Sequence, residues 1–109
     1  MTCPKPNKDK VKLDVKMGPF TWTFEEKENE VLKKNLGECF FEHLQITVRK
    51  DLADAVKVST IFHELIHAAF ASSGVIPKNE EMVTDVLACQ LLFFLKNNPE
   101  FLEYVKKYL

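Results

Sequence analysis

Three cysteines among 109 residues, Cys3, Cys39 and Cys89, form no C-x-x-C pair, and their odd number leaves a thiol over in any pairing. Such a set does not build a disulfide framework and reads instead as reduced thiols inside a cell. An excess of charge is also missing: 15 Lys and Arg stand against 16 Asp and Glu, for a net charge of −1. A nucleic-acid partner requires a basic footprint, and the Lys-rich start from Lys5 to Lys16 is better read as a solvated segment. No apolar run is long enough for a bilayer, since Val86 to Leu95 is short and contains Gln90. The first residues carry Pro4, Pro6 and several lysines with no apolar stretch behind them, unlike a secretory signal. These absences predict a cytoplasmic protein with no nucleic-acid and no membrane partner. They say nothing of oligomeric state.

The remaining composition, 46% hydrophobic and 28% charged, is that of a soluble globular domain. The length suits one domain over 1–109 with one core, residues 1–9 forming a loose tail. Val11, Leu13, Val15 and Met17 alternate with charged residues as a half-buried strand does. Gly18-Pro19 is turn chemistry, and Phe20, Trp22 and Phe24 continue the alternation on the other arm of a hairpin. Glu25 to Leu36 is charged and ambiguous, a short helix or a long loop, before Gly37 and Cys39-Phe40-Phe41. Leu44, Ile46 and Val48 then alternate with polar residues.

A helical stretch without Pro or Gly follows from Ala55, and Ser72-Ser73-Gly74 supplies its stop. Its apolar residues, among them Ile61, Leu65, Ile66 and Phe70, occupy more than one side, so it is expected to be buried. After Pro77 and Asn79, a second helix runs from about Glu80 to Lys96, with Val83, Val86, Leu87, Leu91 and Phe94 at helical spacing. Asn98 as N-cap and Pro99 at the first helical position start a short third helix. The fold class is therefore α+β: a small antiparallel or mixed sheet of three to four strands, followed by helices.

The first helix contains His63-Glu64-Leu65-Ile66-His67. Residues four apart lie one above the other on a helix, so His63 and His67 converge on one ion while Glu64 leans beside it. Hydrolytic zinc takes three protein ligands and keeps a fourth position for water, whose proton a neighbouring carboxylate can accept. The motif predicts a Zn2+ centre in which His63 and His67 are ligands and Glu64 is the general base of amide hydrolysis. Two hydrogen-bonded core histidines at a chance spacing are the bland alternative. They would be costly to bury beside Glu64 without a metal.

A third ligand must come from elsewhere. His43, the only other histidine, sits between strand signals and reads as an exposed or capping residue. On the second helix, Glu81 and Asp85 share a face, which favours Glu81 as ligand and Asp85 as a second-layer partner of a ligating imidazole. Glu80 is the next alternative and Asp85 the third. The first-turn acids are equally explained as solvated charges favoured by the helix dipole. A closed four-ligand site would need Cys89, eight residues beyond Glu81 and more than two turns away. Tyr104 and Tyr108 are the side chains available to stabilise an oxyanion, with packing their more ordinary role.

With these residues in place, the chain resembles the gluzincin clan of zinc metallopeptidases, in which H-E-x-x-H is followed by a glutamate ligand, often within E-x-x-[ST]-D. Glu81-Met82-Val83-Thr84-Asp85 has that form. It also resembles small single-domain H-E-x-x-H proteins of phages and prophages over residues 37–109, through Thr60 to Ala68, Ser73-Gly74, Glu80 to Val83 and Asn98-Pro99-Glu100-Phe101. The resemblance implies a minimal zincin whose edge strand, here Leu44 to Val48, lies over the cleft and adds a substrate peptide as an extra strand. The chain departs from the clan in the thirteen residues between His67 and Glu81, a short interval, and in having no separate domain to close the cleft.

The function expected on these grounds is a zinc-dependent metallopeptidase acting on a protein or peptide. The alternative is a non-catalytic binding or regulatory protein on the same scaffold, capturing a partner by its strand edge or by one of the adjacent rings of Phe40-Phe41.

Overall fold

A computed structural model describes residues 11–28 and 35–109. The expected N-terminal tail and most of the ambiguous stretch after Lys27 lie outside the described residues. The described elements are β1 (Lys12–Met17), β2 (Phe20–Lys27), β3 (Gly37–Phe40), a 3-10 turn (Phe41–His43), β4 (Gln45–Arg49), α1 (Asp54–Ser73), α2 (Glu80–Asn97) and α3 (Pro99–Lys106). The class is α+β, a four-stranded sheet with three helices. Among the described residues no helix is long and apolar enough to cross a membrane.

The hairpin expected at Gly18-Pro19 is present. β1 and β2 pair antiparallel with Val15 opposite Trp22 and Met17 opposite Phe20, and Gly18 takes a φ of 60° at the turn. The sheet order is β1-β2-β4-β3, with β2 and β4 parallel and β3 and β4 antiparallel. This corrects the expected edge. The run Leu44 to Val48 belongs to an inner strand, hydrogen-bonded on both sides, which is why Ile46, Thr47 and Val48 are all buried. Among the described residues the edges are β1 and β3, and β3 is the one beside α1.

One face of the sheet carries the core. Trp22, Phe24, Ile46 and Val48 pack with Ala68 of α1, and Val15, Met17, Ile61 and Leu65 close around them. Each such aliphatic or aromatic side chain contributes about 1.5–3 kcal/mol when fully buried. The one polar atom of Trp22 is also satisfied, its Nε1–H donating to Ser72 Oγ at 2.9 Å. At the other end of α1, Lys57 Nζ reaches Glu26 Oε2 at 3.0 Å and ties the first turn to β2. α1 stops as its sequence predicts: Gly74 has a φ of 79° and returns its N–H to Phe70 O at 3.0 Å.

α1 is covered most fully along Thr60, Glu64 and Ala68, spaced by four. Residues 61–72 are all half-buried or buried, as apolar residues on more than one side predict, whereas Val56 and Val58 nearer its start are exposed. α2 is helical as its spacing predicts, but that spacing does not mark its packed face. Its buried residues are Thr84 and Ala88, while Val86, Leu87, Leu91 and Phe94 remain exposed. Small side chains let two helix backbones approach, and the bulky residues around them are left on the flanks. Asn98 stands at the N-cap of α3 with Pro99 following it, as expected, and its carbonyl accepts from Leu102 N–H at 3.1 Å, but its side chain makes no cap bond there. Its Nδ2–H donates instead to Phe94 O at 2.9 Å, closing the end of α2.

β3 approaches α1 closely at Gly37. A Cβ there would lie 2.8 Å from Thr60 Cγ2, 2.9 Å from Thr47 O and 3.2 Å from Glu64 Cγ. One of these neighbours is backbone, so the contact cannot be relieved by a rotamer change. Gly37→Ala is expected to destabilise the fold by about 1–3 kcal/mol in urea unfolding. An unchanged midpoint would show that β3 does not sit this close to the helix.

Candidate metal centre

α1 places the imidazoles of His63 and His67 one turn apart, with ring centroids at 4.8 Å and an interplanar angle of 72°. Their Nε2 atoms are 3.2 Å apart. The first turns of α2 lie against these rings and present three carboxylates. Glu81 reaches both imidazoles, Oε1 lying 3.3 Å from His63 Nε2 and Oε2 lying 3.0 Å from His67 Nε2. Asp85 Oδ1 is 3.0 Å from His63 Nδ1, and Glu80 Oε2 is 2.5 Å from His67 Nδ1.

Each ring therefore has a carboxylate at Nδ1, whose oxygen accepts a hydrogen bond from an Nδ1–H and so assigns the tautomer. In neutral rings this leaves both Nε2 atoms as acceptors. Two nitrogen lone pairs and the Glu81 carboxylate then converge with no proton among them, an arrangement that a cation resolves. His63, His67 and Glu81 each offer one ligand atom, all within 4.8 Å of one another. Donors about 2.0–2.2 Å from a tetrahedral zinc lie roughly 3.3–3.6 Å apart, and the separations here, 3.0 to 3.3 Å, reach that range with a small spreading of the side chains. The nitrogen and carboxylate donor set fits zinc. Carboxylates behind the histidines are the second layer that orients ligating imidazoles and raises their basicity.

Glu64, between the two histidines in sequence, is buried at 8% exposure. Burial pushes its carboxyl pKa up, and the nearby imidazoles of His63 and His67 partly offset this. It lines the same cavity of about 420 Å³ as His63, His67, Glu80 and Glu81, and β3 forms the opposite wall with Gly37, Cys39 and Phe40. Glu81, three-quarters exposed, leaves the centre open to water.

The outer edge of β3 lies on this cavity. Arg49 N–H donates to Leu36 O at 2.9 Å, so the antiparallel alternation directs Glu38 and Phe40 toward β4. Gly37 and Cys39 are left with N–H and C=O groups pointing outward. On the flank of the centre, a larger apolar groove of about 720 Å³ runs between α1 and α2 and borders it at His63 and Asp85.

The structure brings together His63, His67, Glu64, Glu81 and Asp85. Of the three acids weighed as third ligand, Glu81 alone meets both Nε2 atoms, and the other two occupy the Nδ1 positions. The Glu80 contact escaped sequence reasoning because an acidic residue in a helix's first turn already has an explanation in the dipole. Its offset of thirteen from His67 was the available signal. Tyr104 and Tyr108 stack on one another at 5.3 Å and do not line the cavity, so the structure brings neither to the centre. His43 is exposed, as expected. Cys89 is exposed and lines the flanking groove, away from the three donor atoms.

Compared with known proteins, the chain matches no family model, no curated protein and no solved structure.

Cys39 faces the cavity as a neutral thiol. Burial pushes its pKa up to about 12, reinforced by the charges of Glu64 and Glu80. A thiol reagent at pH 8 is therefore expected to modify exposed Cys89 at least about 100-fold faster than Cys39 in a Cys3→Ser chain kept free of metal. Equal rates at the two positions, resolved by peptide mass mapping, would contradict this environment.

Proposed function

We propose that the chain is a zinc-dependent peptidase in which His63, His67 and Glu81 hold the metal and Glu64 is the general base. The observation that carries this reading is the convergence of three ligand atoms beside a buried carboxylate, in a cavity bounded by a strand edge that no described residue pairs with. Zinc bound there supplies Lewis acidity, polarising a carbonyl and lowering the pKa of water.

The chain's own residues account for the rest. Gly37 and Cys39 offer N–H and C=O groups to an extended peptide, which pairs as one more strand and lies along the cavity. Asp85 and Glu80 hold the imidazoles through their Nδ1–H groups. Glu64 takes a proton from water as its oxygen attacks the scissile carbonyl carbon, then delivers it to the nitrogen as the C–N bond breaks. A pKa raised by burial suits a group that must both accept and return a proton near neutral pH.

The scaffold also supports a second reading, a binding protein that uses the same edge. Phe40 and Phe41 are nearly half exposed beside β3. The two readings part at Glu64, which a binder does not need.

Metal content after dialysis against metal-free buffer is expected to be about one zinc per chain in the wild type and to be lost in His63→Ala and Glu81→Ala. Asp85→Asn and Glu80→Gln are expected to weaken binding by about 10–100-fold. Glu64→Gln is expected to keep its zinc and to lose about 10²–10⁴-fold in hydrolysis of an unfolded protein substrate. No retained zinc would overturn the centre, and hydrolysis undiminished in Glu64→Gln would overturn the peptidase mechanism.

A further inference from the structure

α2 has an apolar surface that the domain does not use. From Val86 to Leu95 it carries no charge, and the only polar side chain apart from Cys89 is Gln90. A helix that is apolar all round belongs in an interior. Yet its buried residues are Thr84 and Ala88 alone, and among the described residues nothing covers the opposite side. At 100° per residue the point opposite Thr84 and Ala88 falls at Val86, and the exposed apolar residues spread around Gln90, with Val86 and Phe93 to one side and Leu87, Leu91 and Phe94 to the other. The surface continues onto α3, where Phe101 meets Phe94 edge to face at 5.7 Å.

From these observations we infer that α2 packs against the same helix of a second copy, in a two-fold dimer whose axis passes near Gln90. The extent suits such a contact. Val86, Leu87, Leu91, Phe93, Phe94 and Phe101 are 42–56% exposed. Together with Tyr104 they present on the order of 600 Å², approaching the roughly 800 Å² per partner of a stable interface. Ordinary monomers rarely leave larger patches.

The chemistry of the face selects a copy of itself as the occupant. A two-fold interface brings each residue against the same surface, so charge of one sign would repel itself, and this surface has none. Gln90 is exposed at its centre and is the kind of polar group that suits the axis. An amide is both donor and acceptor, so two copies satisfy one another. Against an acyl chain or a wholly apolar partner the same amide would be buried unpaired, at a cost of about 1–3 kcal/mol. The inference uses neither the metal nor the reaction, and it stands or falls separately from them.

The test is sedimentation velocity on the full chain, with Gln90→Glu and Gln90→Lys measured alone and as an equal mixture. Wild type is expected to be dimeric at about 50 μM. Each variant places like charges across the axis and is expected to dissociate with at least about tenfold weaker affinity, with unchanged far-UV circular dichroism. The mixture pairs Glu with Lys and is expected to recover the dimer. A wild type that remains monomeric or forms polydisperse aggregates would overturn the inference. So would single variants as dimeric as wild type, or a mixture that stays dissociated.

Discussion

The docking of α2 rests on the acid–imidazole cluster at its N-terminal end. Apart from that cluster, the helix buries only the small side chains Thr84 and Ala88, with Val83, Leu92 and Leu95 half-buried beside them and Val86, Leu87, Leu91 and Phe94 exposed. Three carboxylates of its first turns meet the two imidazoles of α1 at hydrogen-bonding distances. With Glu64 beside them, four acidic side chains surround two histidines. Such a group needs positive charge within it, from protonated imidazoles or from a bound cation. A cation held there would join the two helices, and ion binding and helix docking would become one equilibrium.

The second constraint is the approach of β3 to the other side of α1. Because residue 37 has no side chain, the strand settles against Thr60 and Glu64. That contact shuts Glu64 away from bulk water on one side while leaving its cavity open on the other. The raised pKa of Glu64 and the position of the strand edge are thus two results of one close contact. Moving β3 outward would hydrate the carboxyl and displace the edge along which an extended chain would lie.

Much of this arrangement was legible in the sequence because it depends on short-range geometry. Spacing of four placed His63 over His67 and Glu81 near Asp85, Gly18-Pro19 marked the hairpin, and Gly74 marked the end of α1. What escaped depends on partners distant in the chain. Alternation in Leu44 to Val48 reveals a strand but not its neighbours, so the parallel pairing of β4 with β2, which moves β3 to the edge, could not be read from it. The apolar spacing of α2 likewise identified a helix but not the face by which it packs. Spacing ranks residues by hydrophobicity, whereas two helices that approach closely select for small size, which Thr84 and Ala88 provide. Asn98 shows a related ambiguity, since a residue between two helices can serve either and here bonds backward to Phe94.

The shortness of β3 has a consequence of its own. An unpaired strand edge is a template for other chains, and proteins usually blunt it with charge, proline or a bulge. Here the edge runs only from Gly37 to Phe40, turns into a 3-10 segment and ends at Leu44 in a left-handed conformation with a φ of 50°. Two residues, Gly37 and Cys39, are all it exposes to pairing. That would align one visiting segment over the cavity, and along this side of the sheet it is too little to seed a growing stack of strands.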